Sequence, residues 1–100
     1  MDLFQSQAQV WVNPVNCVGT MGAGLAKKFA IKFPSVLNYY RHACNVEKSL
    51  RPGGILTIPQ HDTTPPPIWV VCFATKDHWR HPSQLRWIDA GLMVLADWCR

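Results

Sequence analysis

Asn13-Pro14-Val15-Asn16-Cys17-Val18-Gly19-Thr20-Met21-Gly22-Ala23-Gly24-Leu25-Ala26 runs from a strand end, through a glycine-rich loop, into a helix. Upstream, Gln9-Val10-Trp11-Val12 is a short strand-like run that Asn13-Pro14 ends. Downstream, Leu25, Phe29 and Phe33 recur at i, i+4 and i+8, with Lys28 and Lys32 on another face. That is the pattern of an amphipathic helix. Glycines lack Cβ, so the backbone N–H groups of such a loop can approach a phosphate closely, and the helix start adds partial positive charge. The spacing of Gly19, Gly22 and Gly24 fits neither a Walker A loop nor a dinucleotide-binding fingerprint. A tight turn with close helix–strand packing explains the same glycines equally well.

Outward from this stretch, Pro34 stops the helix, and Ser35 is placed to cap a second one from Val36 to Glu47. Pro52-Gly53-Gly54 is a turn before a strand, Ile55-Leu56-Thr57-Ile58. Pro59 to Pro67 holds four prolines and reads as an irregular surface loop. Ile68 to Phe73 is apolar on both faces, the mark of a fully buried strand. A last helix follows Pro82-Ser83, from Gln84 to Cys99, with Leu85, Ile88, Leu92, Leu95 and Cys99 as its buried stripe. The order predicts an α/β fold, a mixed sheet of about three strands flanked by three helices, in one domain over residues 1–100. A sheet this thin has open edges, through which copies of the chain would self-associate.

Composition narrows the class. One hundred residues allow a single small domain, and 48% apolar with 16% charged residues excludes a disordered or fibrous chain. The longest apolar run, Ile68 to Ala74, is too short to cross a bilayer, and Met1 to Gln7 lacks the features of a signal peptide. A cytoplasmic protein with no membrane partner is expected. Cys72 and Cys99 lie within apolar patterns, where free thiols act as small core residues, so reduced cysteines are expected too. The cysteines stand 27 or 28 residues apart, and His78 and His81 are the only close histidine pair, so no metal site is predicted. The formal charge of +4 points to an anionic partner, nucleic acid or a phosphorylated small molecule, and plain solvation explains it equally well.

Several residues are candidates for chemistry. Asn13 and Asn16 flank Pro14 at a strand end, where an amide's donor and acceptor suit ribose hydroxyls or, alternatively, the turn's own backbone. Thr75-Lys76-Asp77-His78-Trp79-Arg80 follows the buried strand, where α/β proteins tend to place ligands. A lysine held there against an apolar wall can serve as nucleophile or acid/base; the bland alternative is a solvated loop. Cys17 is either a nucleophile or packing. Trp69, Trp79, Trp87 and Trp98 could stack bases, although Trp87 and Trp98 fall in the last helix, where packing is the ordinary role.

Val12 to Ala26, the following Phe33-Pro34, and then Tyr40 and Cys44 closely resemble a macrodomain, in the branch that includes the DarG antitoxin and the terminal ADP-ribose glycohydrolase. Phe73-Ala74-Thr75-Lys76-Asp77-His78-Trp79-Arg80 resembles that branch's Phe-Pro-Thr-Lys-x-x-Trp-Arg signature, with Ala74 in place of proline. Ser83-Gln84-Leu85, Ile88 and Gly91-Leu92 continue the match. The resemblance implies that Asp2, with Leu3, contacts the adenine, and that Asn16 and Asn13 face the distal ribose. Gly19, Met21, Gly22, Ala23, Gly24 and Leu25 would form the first ligand loop, with Thr75 beside it. Lys76 would be the catalytic lysine.

The same resemblance implies removal of ADP-ribose from modified targets: thymidine in single-stranded DNA, with a DarT-like toxin as partner, or acidic side chains. ADP-ribose is then ligand or product, and no cofactor is implied. Family members are longer, so the chain is expected to match the front part of a macrodomain, without its first strand and second glycine-rich loop. A non-catalytic ADP-ribose-binding module and an inactive remnant are the alternative readings.

Overall fold

The structure is a computed structural model that describes residues 9–22, 24–60 and 69–99. The elements run β1 (Val10–Val15), α1 (Gly24–Lys32), α2 (Pro34–Asn45), β2 (Ile55–Pro59), β3 (Trp69–Ala74) and α3 (Leu85–Trp98). The sheet order is β1-β3-β2, with β1 parallel and β2 antiparallel to the central β3. The expected mixed sheet with three helices is therefore what forms.

Strand β1 continues three residues past its expected end, through Asn13 and Pro14 to Val15. The hydrogen-bond parity explains why proline is tolerated there. Gln9 O accepts from Trp69 N and Val15 O from Thr75 N, each at 3.0 Å, so the odd-numbered residues of β1 turn their backbone groups toward β3. The nitrogen of Pro14 faces the other way, and no ladder bond is lost.

Between α1 and α2 the break is Phe33, and Pro34 opens α2 at its first position, where its fixed φ is pre-organised and its missing N–H is not needed. Phe33, not Ser35, is the N-cap residue, and no side chain caps the helix. The Pro52 turn is anchored by Gly53 N donating to Ala74 O (2.8 Å) and Ala74 N donating to Gly54 O (3.0 Å).

The two faces of β3 alternate, as strand geometry requires. Val70, Cys72 and Ala74 join Trp11, Val15, Phe29, Phe33, Val36 and Tyr40 in the core under α1 and α2. Trp11 meets Phe33 edge-on with ring centroids 6.0 Å apart. On the opposite face, Trp69 packs edge-on against Trp98 at 5.2 Å, and the Phe73 ring lies against Gly91.

Helix α3 departs from the predicted stripe. Gly91 is its one buried residue among those described, while Leu85, Leu92 and Cys99 are exposed. The half-buried residues are Trp87, Ile88, Leu95 and Trp98. The close approach of Gly91 to Phe73 sets the rotation: a Cβ on Gly91 would meet the Phe73 ring at 2.3 Å, so only glycine lets the helix sit there. That contact turns the Leu85–Leu92–Cys99 line toward solvent.

Candidate functional site

Because β1 and β3 are parallel, their carboxyl ends open on the same edge of the sheet, where α/β proteins place ligands. The loop leaving β1 is folded around Asn16. Its Oδ1 accepts from Val18 N (3.0 Å), from Thr20 N (3.4 Å) and from the Tyr40 hydroxyl, while its Nδ2 donates to Thr20 O at 3.0 Å. The Tyr40 hydroxyl also lies 2.8 Å from Asn16 O. Tyr40 is fully buried on α2, and burial, then the neighbouring Cys44, pushes its pKa above the ordinary phenol range. It therefore stays protonated and able to donate. Gly19 has φ +81°, and a Cβ there would meet Asn45 Nδ2 at 2.8 Å, so the loop turns tightly for a structural reason.

The loop leaving β3 is joined to it. Cys17 N donates to Asp77 O at 3.0 Å. The Asp77 carboxylate accepts from His78 N at 2.7 Å and pairs with His81 Nδ1 at 3.1 Å. Desolvation is the largest single influence and raises the Asp77 pKa, but the His78 amide and the His81 ring together outweigh it and hold the carboxyl below its ordinary range.

Together the two loops enclose a cavity of about 600 Å3 lined by Pro14, Val15, Asn16, Thr20, Gly22, Ala26, Thr75, Lys76 and Trp79. Small-molecule sites span roughly 300–1,000 Å3. Gly22 and Ala26 bring the amino end of α1 to the cavity, and the first turn of α1 carries no acidic residue to offset its dipole. Among the described residues, no group of three or more His, Cys, Asp or Glu gathers to hold a metal ion. No described helix is long and apolar enough to cross a membrane.

Residues 12–94 match the family described as Macro domain. The chain belongs to the macro domain family. It is 39% identical over 95 residues to the DNA ADP-ribosyl glycohydrolase of Mycobacterium tuberculosis, a match over 94% of this chain and 26% of that protein. The solved macrodomain of Mycobacterium tuberculosis DarG superposes with a TM-score of 0.91 at 36% identity, over 97% of this chain and 62% of that one. The macrodomain of Thermus aquaticus DarG gives 0.89 at 33% identity, over 97% of this chain and 63% of that one. Thermosipho africanus DarTG in complex with ADP-ribose gives 0.87 at 30% identity, over 96% and 27%. The chain thus spans about a quarter of the full-length relative from Mycobacterium tuberculosis and under two thirds of the solved DarG macrodomains.

Within this macrodomain, Asn16, Gly22, Thr75 and Lys76 come together on the cavity wall. Gly24, with φ +59°, starts α1, and Leu25 packs against the core at its half-buried side. Gly19 and Met21 support the loop from the buried side. Asn13 is not on the wall. It is fully buried, its Nδ2 lies 3.8 Å from Met21 Sδ and 3.9 Å from Cys72 Sγ, and its Oδ1 has no hydrogen-bond partner. The reason is parity: odd-numbered side chains of β1 point into the α1–α2 core. Asp2, Leu3 and Ala23 lie outside the described residues.

Cys17 does not suit a nucleophile. Burial, the Cys44 thiol and the Asp77 carboxylate push its pKa up to about 11, so the thiol keeps its proton at neutral pH. Trp79, named from sequence as a residue able to stack bases, lines the cavity. Tyr40 clamps Asn16 across 24 residues, and no local pattern announces that contact.

Proposed function

We propose that this macrodomain binds ADP-ribose in the cavity and removes it from thymidine in single-stranded DNA, with Lys76 as the catalytic residue. One observation carries the reading: Gly22 lines the same cavity as Lys76, yet nothing in the fold demands glycine there. Its φ is ordinary, and an added Cβ would meet only Thr20 Cγ2, at 3.5 Å. Gly19, Gly24 and Gly53 all have positive φ, and Gly91 is crowded. Gly22 alone among these has neither a positive φ nor a crowded neighbour to require glycine, which leaves its space to something outside the fold. A diphosphate approaching the loop amides and the α1 amino end would use that space.

The distal ribose then lies toward Asn16, whose Nδ2 has one N–H left after bonding Thr20 O. Lys76, leaving β3, is the nucleophile within reach of the anomeric carbon. Its amine nitrogen adds to that carbon as the bond to the thymine nitrogen breaks, and the proton shed by the nitrogen on bonding goes to the departing base. Water then displaces the amine, giving ADP-ribose and the free lysine. Similarity to proteins named DNA ADP-ribosyl glycohydrolase, and to a DarTG structure in complex with ADP-ribose, supports this chemistry and a DarT-like toxin as the partner whose mark is reversed.

The test is a calorimetric titration of the chain with ADP-ribose, followed by release from ADP-ribosylated thymidine DNA. Micromolar binding, about −8 kcal/mol, is expected for the parent. Gly22→Val should fold normally and lose binding, and Lys76→Ala should bind but not release. Release by Lys76→Ala at the parent rate refutes the catalytic assignment. Unchanged affinity in Gly22→Val refutes the loop assignment.

A further inference from the structure

We propose that Trp79, Arg80 and His78 form a stacking platform on the rim of the cavity that holds an unpaired base of single-stranded nucleic acid beside the bond at Lys76. It rests on the reading of Lys76 as the group at the scissile bond, and it adds the subsite that selects the target. Trp79 lines the cavity together with Lys76 and Thr75, yet its side is half open to solvent, at 51% exposure. An aromatic side chain with no core role, spanning cavity and solvent, is a recognition surface more than a packing one.

Its neighbours complete a planar pile. The Arg80 guanidinium lies 4.6 Å from the Trp79 ring centroid, and the His78 ring stacks on Trp79 at 5.2 Å with 30° between planes. His81 adds a further ring 5.1 Å from His78. The pile is held by its own backbone: Arg80 N donates to His78 Nδ1 at 3.1 Å, which fixes that ring as an acceptor on this side. Asp77, the acidic residue of this loop, turns its carboxylate to His78 N and His81, and Arg80 is the exposed cation beside the rings, with Lys76 on the cavity wall. Flat rings interleaved with cations match the two demands of a single strand, a π-face for the base and positive charge for the phosphate. A carboxylate on a protein surface would use the cations and leave the rings idle.

The experiment measures fluorescence polarisation of a labelled, unmodified 12-nucleotide oligothymidylate. The parent chain, Trp79→Ala, Arg80→Ala and Arg80→Lys are compared, with ADP-ribose calorimetry on the parent and Arg80→Ala. Arg80 is exposed, so its variants should melt as the parent does. Oligonucleotide affinity should fall at least about fivefold in Trp79→Ala and in both Arg80 variants, the scale of one lost base stack. ADP-ribose affinity should be unchanged in Arg80→Ala. Parent-like binding by Arg80→Lys overturns the platform, because charge alone would then suffice. Equal affinity for the duplex of the same sequence overturns it as well. Oligonucleotide binding without any ADP-ribose binding refutes the cavity assignment and supports the platform; the reverse pattern refutes the platform alone.

Discussion

The two faces of the sheet are built differently. Under α1 and α2, the side chains of Trp11, Phe29, Val36, Tyr40, Val70 and Cys72 are all essentially inaccessible to solvent. Under α3, contact includes one glycine against one phenylalanine ring, the Gly53 turn close against Trp87 and Ala90, and a tryptophan pair at the far end, while Leu85, Leu92, Met93 and Val94 are exposed. Asn16, which organises the glycine loop, is tied to the first face through Tyr40. Stability is thus concentrated on the side that shapes the binding loop. The α3 side depends on close approach rather than on a filled core.

The largest expected effect breaks the first face. Trp11→Ala removes a fully buried indole and should destabilise by about 3–5 kcal/mol. Against a domain total of about 5–15 kcal/mol, the urea midpoint should fall by a large fraction of its parent value. Gly91→Ala tests the second face. The added Cβ would overlap the Phe73 ring, so a loss of about 1–3 kcal/mol is expected by chemical denaturation. A neutral result there would show that α3 docks loosely enough to retreat.

A smaller effect sharpens the link between face and loop. Tyr40→Phe removes the hydroxyl that bonds Asn16 and should lose about 0.5–1.5 kcal/mol, with weaker ADP-ribose binding in the same titration. Alkaline pH probes the same neighbourhood. Burial above all raises the thiols of Cys17 to about 11 and Cys72 to about 12, with the Asn13 amide opposing the rise at Cys72. In the unfolded chain these groups lose their protons nearer pH 9. Stability should therefore be level below that pH and decline as pH rises toward 12, read as a falling melting temperature. The smallest effect belongs to Leu92→Ala, on the exposed line of α3, which should change stability by no more than about 0.5 kcal/mol.

The first face was legible from spacing. Leu25, Phe29 and Phe33 turn inward to different degrees, Lys28 and Lys32 outward, and the doubly apolar β3 is buried as its composition predicts. The second face misled because its rotation is set by Gly91 and Phe73, residues 18 apart in sequence that no helical period relates. Asn13 misled for a similar reason: the turn expected at Asn13-Pro14 is a continuing strand, which sends that side chain into the core. At the site, the glycine loop and the Thr75–Arg80 cluster were recognisable as local strings. Their meeting across one cavity depends on the parallel pairing of β1 with β3, which is a property of the fold.

The Cys17 amide, bonded to the carbonyl of Asp77, stitches the glycine loop to the segment that carries Lys76. Thr75 N, bonded to Val15 O, is a second stitch just below it. Neither loop can swing away without rupturing a bond to the other, so a ligand that orders one will slow hydrogen exchange at both. Deuterium uptake at the amides of Cys17 and Thr75 should fall together as nucleotide is added, a shared clock for two segments separated by more than 50 residues of chain.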